Sequence, residues 1–250
     1  MEVQKHPHHV THKKQWGEYL LEFLMLFLAV FLGFVAENIR EHSAEKEREK
    51  HYVESLVNDL KSDSSELVEM LKEQQYDITK MDSALKISVS ELHNINTQDT
   101  FYHHFVYFYS WIFMFFQHDN TLSQLKNAGG FGVLRNRSIV DSIGELQLWY
   151  EQQVKLNAGY YNDFWRKVED LGAHLMIMPE PPTWANDTLY KFFPRTEVFT
   201  RYDMPLLQEL YSWIRNEKGT LLVYMDNEKQ YMDKALRLIR MISRDYELNN

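Results

Sequence analysis

The residues best suited to chemistry in this chain are histidines and carboxylates, and their spacing decides what they can do. His6, His8, His9 and His12 crowd the start of the chain as HPHHVTH. Imidazoles at that density can bind a divalent metal, but a polar tail gives them no fixed geometry, so the segment reads as solvated tail. His103, His104 and His118 are close in sequence, yet no carboxylate recurs near them at metal-ligand spacing, and the Glu-x2-His helix pair of di-iron bundles does not occur. Asp59, Asp63 and Glu66 form a carboxylate row that reads as a wet helix face. The chain has no cysteine, which excludes disulfides, thiolate metal sites and cysteine nucleophiles. Gly-x-Ser-x-Gly, His-Glu-x2-His and nucleotide-binding fingerprints are all missing. Gly129, Gly130 and Gly132 lack the Gly-Lys-Ser/Thr ending of a phosphate loop and read as a helix stop. The chemistry-bearing residues therefore predict no catalytic residue, no metal and no cofactor.

The element that constrains the chain most is residues 19–36, YLLEFLMLFLAVFLGFVA, apolar except for Tyr19, Glu22 and Gly33. About 20 apolar residues cross a bilayer core as a helix. A cleaved signal peptide has a shorter apolar core and a small-x-small cleavage site, whereas Phe34-Val35-Ala36 puts Phe where a small residue belongs. A buried helix of a soluble protein is rarely apolar all round. The segment is expected to be an uncleaved transmembrane anchor, with the lipid bilayer as its first partner and Trp16 and Tyr19 at the near interface.

Glu22, Leu26, Ala29, Gly33 and Ala36 recur at spacings of 4, 3, 4 and 3 and share a helix face. Ala29-x3-Gly33 is a small-x3-small pattern that lets helices approach closely, so Glu22, Ala29, Gly33 and Ala36 are candidate contacts for self-association. Glu22 can instead snorkel to water, lying about one turn from the interface, or serve an ion-coupled complex. The organisation expected is a short cytoplasmic tail (1–18), the span (19–36), a charged helical neck (37–52) and an extracytoplasmic helical domain (53–250). A tail of that size leaves no room for a signalling domain.

Between Pro7 and Pro179 there are 171 residues without proline, so long helices are expected. Val53, Val57, Leu60, Ser64, Leu67, Leu71, Gln74, Ile78, Met81, Leu85, Ser88 and Leu92 step strictly by 4 and 3, a heptad seam. The seam fits a coiled coil between subunits, and it fits the core-facing edge of a bundle within one chain. Residues 101–116, FYHHFVYFYSWIFMFF, are expected to form a core helix with Phe101, Phe105, Phe108, Ile112 and Phe116 inward; a second span is the alternative, but the run is short and carries two histidines. Ser138 is expected to cap the next helix, whose apolar stripe runs from Ile139 to Leu171. Residues 179–205 hold five of the six prolines, with Trp184, Phe192 and Phe193 as candidate partner-surface residues. A last helix, or a pair broken near Gly219, covers Met204 to about Glu247. Aromatics make up 14% of the 250 residues, which suits aromatic packing between helices or at an interface. The formal charge of −9 argues against nucleic acid as a partner.

Two blocks together carry a resemblance. One is Glu22-Phe-Leu-Met-Leu-Phe-Leu-Ala-Val-Phe-Leu-Gly running through Ala36-Glu-Asn-Ile-Arg-Glu into Tyr52 and Ser55-Leu-x3-Leu60. The other is Leu125-Lys-Asn-Ala-Gly-Gly with Val133-Leu-Arg-Asn and the helix ending in Trp149-Tyr150. The chain resembles an uncharacterised family of bacterial single-span envelope proteins over about residues 18–70 and 121–150. It departs from that pattern in Gly-Gly-Phe-Gly after the turn and in its denser aromatic segment. The resemblance implies an inner-membrane anchor with a helical periplasmic domain, and no reaction. The expectation is an all-α protein: an anchor helix continuing into a four-helix-type bundle, acting as a non-enzymatic, oligomeric scaffold for envelope partners. A ligand-sensing bundle and a transport accessory using Glu22 are the alternatives.

Overall fold

The computed structural model describes residues 16–109, 112–127, 129–178 and 198–248. The expected tail up to residue 15 and most of the proline-rich connection, with Trp184, Phe192 and Phe193, lie outside them. The chain divides into two units, residues 1–51 and 52–250. Helix α1 (Trp16–Lys86) carries the apolar stretch, the charged neck and the heptad seam.

In the first unit the apolar stretch is exposed along its whole length. Its large hydrophobic residues range from 38% exposed at Val35 to 73% at Phe34. Among the described residues this is the one helix long and apolar enough to cross a membrane. The neck that follows is held by short-range pairs suited to water, such as Arg40 to Glu37 and His42 to Glu45.

The second unit is all-α. Its elements after α1 are α2 (Ile95–Tyr109), α3 (Asn120–Asn127), α4 (Arg137–Trp149), a π-helical turn (Tyr150–Val154), α5 (Lys155–Leu175) and α6 (Met204–Asp245). Short 3-10 turns at Val89–His93 and Gly130–Gly132 connect them, and one isolated bridge pairs Met176 with Phe199.

Side-chain contacts give these elements an up-down-up-down order of four rods. The first is α1 from residue 52 onward. The second is α2, an extended stretch at 112–119, and α3; it runs antiparallel to α1, because Tyr107 stacks edge-on to Tyr76 while His118 meets Asp63 and Thr121 meets Asp59. The third is α4, the π turn and α5. The fourth is α6, which runs back along the third (Ser142 to Met241, Tyr161 to Tyr224, Phe164 to Trp213) and along α1 (Asp82 to Lys218, Asp63 to Tyr231). The heptad seam thus closes within one chain: Val53, Val57, Leu60, Ser64, Leu67, Gln74, Ile78 and Met81 are all buried in this domain. Antiparallel packing of this kind is what short connections between successive helices produce.

Local chemistry explains the boundaries. Asp203 caps α6 by accepting from the Leu206 N–H, and Pro205 sits in the first turn, where its missing N–H costs nothing. The proline-rich connection therefore ends at the cap, with Pro205 inside the helix. α6 passes Gly219 unbroken. Asn136, not Ser138, caps α4: its Oδ1 accepts from the N–H groups of Ser138 and Ile139. Gly129 turns the chain after α3 with φ +65°, a conformation that favours glycine. Gly172 lets α5 approach α2 so closely that a Cβ there would lie 2.6 Å from Cζ of Phe105.

The expected core helix over 101–116 stops at Tyr109 instead. Phe101, Phe105 and Phe108 are inward as expected, but Ile112 and Phe116 are exposed, while Phe113 and Phe115 are buried. The aromatic run suits an extended backbone with period 2 as well as a helix. Tertiary bonds settle it: the Phe115 N–H donates to the Tyr224 hydroxyl, and the Trp165 indole donates to the carbonyl of Tyr109 at the helix end.

Candidate functional site

Two polar constellations lie inside the four-rod domain, both on the seam between α1 and α6. Along α1, Leu56, Leu60, Asp63, Leu67, Met70, Gln74, Asp77, Met81 and Ala84 step by 4 and 3, a second heptad line in which Asp63, Gln74 and Asp77 occupy core positions. Along α6, the apolar stripe Ile214, Leu221, Met225 and Met232 leaves two steps open, and Glu217 and Glu228 fill them. Helical rise places Asp63 and Asp77 about 21 Å apart along the same face.

The first constellation is a knot at Asp63. This carboxylate is 1% exposed and accepts three hydrogen bonds: from the His118 backbone N–H (2.8 Å), from His118 Nδ1 (2.8 Å) and from the Tyr231 hydroxyl (2.6 Å). It thereby ties α1 to the extended stretch of the second rod and to α6. Asp59, one turn away, accepts from the Thr121 N–H at the start of α3. The bond to Asp63 raises the His118 pKa above its ordinary value, with Asp63, Glu66 and Asp59 adding attraction for the charged ring. The row Asp59, Asp63, Glu66 is therefore wet only in part: Glu66 is exposed and Asp59 half-buried, but Asp63 points into the core. The π turn at Tyr150–Val154 lies at the same level. It brings Tyr150 edge-on to Phe115, within 3.5 Å of whose carbonyl the Tyr150 hydroxyl lies, and keeps both Tyr150 and Val154 buried. π turns of this kind insert one residue and re-aim the stripe that follows.

The second constellation is a layer of carboxyls. Glu217 and Glu228 are 0% exposed and Asp77 is nearly so. Gln74, also 0% exposed, finds no hydrogen-bond partner for either its amide nitrogen or its carbonyl oxygen, and neither oxygen of Glu217 or Glu228 finds one. Burial pushes Asp77 up to about 8, with Glu73 adding repulsion. Burial holds Glu217 well above the usual carboxylate range, with Asp77 again adding repulsion. Glu228 is pushed up to about 7 by burial, offset in part by Gln74 and Tyr224, which face it closely enough to favour its charged form although neither reaches hydrogen-bond geometry. Tyr161 and Tyr224, ring centroids 6.1 Å apart, pack between the two ends of the layer, and burial raises both phenols. Burial in a closed core disfavours the ionised form of all three carboxyls. Among the described residues no group of three or more His, Asp or Glu is placed to hold a metal ion.

The expected membrane contacts Glu22, Ala29, Gly33 and Ala36 all lie exposed on α1 in the first unit, and a Cβ added at Gly33 would meet nothing within 4 Å. They share a face as their spacing requires. Asp77, Glu217 and Glu228 escaped notice in the sequence. The signal for them was the two missing steps in the α6 stripe and their match to the polar positions of the α1 seam. Comparison of the chain with protein-family models, with curated proteins and with solved structures finds no match.

Proposed function

We propose that this chain is a membrane-anchored helical protein of the bacterial envelope, a non-enzymatic interaction or scaffold component whose helical domain meets its partners. In this reading the N-terminus is cytoplasmic, residues 19–36 cross the inner membrane once, and the bulk of the chain is periplasmic. The observation that carries it is the apolar stretch of α1, whose large side chains stay exposed from Tyr19 to Val35. Hydrocarbon is the medium that covers such a surface on all sides. Self-association through Glu22, Ala29, Gly33 and Ala36 is part of the proposal. Full-length protein purified in detergent is expected to be oligomeric and to yield cross-linked envelope proteins from cells. A strictly monomeric protein that captures nothing overturns the scaffold reading.

The buried carboxyl layer favours a second reading, a sensing bundle. Polar groups without partners in a helical core are where bundles place their ligand sites. A thermal-shift screen of the full-length protein against small polar solutes separates the two: a shift abolished by Gln74→Leu supports sensing, and no shift removes it.

A further inference from the structure

We infer that the polar layer between α1 and α6 is a proton-operated lock: with Asp77, Glu217 and Glu228 neutral the two helices stay packed, and their ionisation drives α6 away from α1. The inference stands on geometry and does not rest on the scaffold reading. Three carboxyls occupy core positions of two antiparallel helices, all nine-tenths or more buried, with Leu221 and Met225 between Glu217 and Glu228 on α6. The groups that act on them come from every rod around the layer. From α1 these are Glu73, Gln74 and Asp77; from α6, Glu217, Tyr224 and Glu228; from α5, Tyr161. The extended stretch of the second rod contributes the Phe115 N–H, which donates to Tyr224. None of these is a cation, and the ammonium of Lys218, next in sequence to Glu217, is committed to Asp82.

Gln74 lines the same seam. A fully buried primary amide with both ends unpartnered faces Glu228, and a neutral carboxyl can donate to its oxygen while accepting from its nitrogen; an ionised one can only accept. Ionised, Asp77 and Glu217 repel each other in a medium that screens poorly, and each of the three carboxylates demands hydration that the closed seam cannot supply. The nearest route to water is separation of α6 from α1, which uncovers Tyr161 and Tyr224. A rise in pH then converts the domain from a closed rod bundle to one presenting an aromatic surface.

Hydrogen exchange of the full-length protein in detergent micelles tests this, read at residues 70–82 and 213–232 against α4 as internal reference. Between about pH 5.5 and about pH 8.5, after correction for intrinsic exchange, protection in those two segments is expected to fall about tenfold or more while α4 holds. The triple variant Asp77→Asn, Glu217→Gln, Glu228→Gln is expected to keep its protection at both pH values. If the triple variant does not fold, Glu217→Gln alone decides: the midpoint of the fall moves to higher pH. Protection that does not change with pH in the natural protein, an equal fall in the triple variant, or an unmoved midpoint in Glu217→Gln each overturns the inference.

Discussion

Replacing Asp63 by alanine removes three hydrogen bonds at once, and the structure says how unequal they are. His118 is 44% exposed at its side chain, so its ring can turn to water when the carboxylate is gone. The Tyr231 hydroxyl cannot: the residue is 1% exposed, packed against Phe115 and Tyr150. A buried donor left unpaired costs about 1–3 kcal/mol, and losing a bond to a charged group about 1.5–3 kcal/mol. No buried charge is left behind, so these two terms set the loss expected for Asp63→Ala at about 2–4 kcal/mol. Tyr231→Phe alone is expected to cost about 1 kcal/mol, because Asp63 keeps both bonds from His118. The double variant is expected to be more stable than the sum predicts, since no hydroxyl is stranded in it. Urea unfolding of the full-length protein in micelles, followed by far-ultraviolet circular dichroism, reads all three. A loss below about 0.5 kcal/mol for Asp63→Ala would return the residue to a wet helix face and refute the knot.

Other expectations follow from the same contacts. Asp77 titrates at about 8 in the folded chain against an ordinary 3.8, and Glu228 at about 7 against 4.5. Folding therefore favours their protonated forms: the associated stability is whole below the ordinary values and drains away as pH rises through the folded ones. Between about pH 5 and pH 7 Asp77 contributes a fall of about 1.4 kcal/mol per pH unit and Glu228 a smaller one that drops to about half of that near pH 7; Asp77→Asn should flatten the slope by the Asp77 share in urea titrations. His118 acts in the same direction, its share present below pH 6.5 and lost as pH passes its raised value; His118→Gln measures that share separately. Gly172→Ala forces the buried Phe105 ring aside and should cost about 1–3 kcal/mol in thermal unfolding. Gly129→Ala, strained at φ +65° but with open space around it, should cost about 1 kcal/mol.

Much of the fold was legible because its signals are periodic. The seam from Val53 to Met81, the inward faces of α4, α5 and α6, and the apolar stretch at 19–36 each repeat at helical spacing, and repetition survives single exceptions. The misses arose where one residue's partners lie far along the chain. Nothing local to residues 112–116 says that Tyr150 and Tyr224 will take up the backbone of Phe115 and hold it out of a helix. Nothing local to Asp63 says that His118 and Tyr231, 55 and 168 residues away, will turn an acidic row inward. The buried carboxyls carry no apolar signal of their own: an acid at a stripe position has the same spacing whether it turns inward or reaches water. Glu217 and Glu228 stood in the register of α6 throughout.

Membrane topology is the most direct test of the proposed anchor, and the absence of cysteine makes it clean, since each introduced thiol reports alone. Lys5→Cys and Lys229→Cys variants of the full chain, produced in a bacterium, are exposed to a membrane-impermeant maleimide in spheroplasts and then washed with alkaline carbonate. The account predicts that both stay with the membrane pellet, that the thiol at 229 labels in intact spheroplasts, and that the thiol at 5 labels only after permeabilisation. Release of the protein by carbonate, or the opposite pattern of labelling, contradicts it.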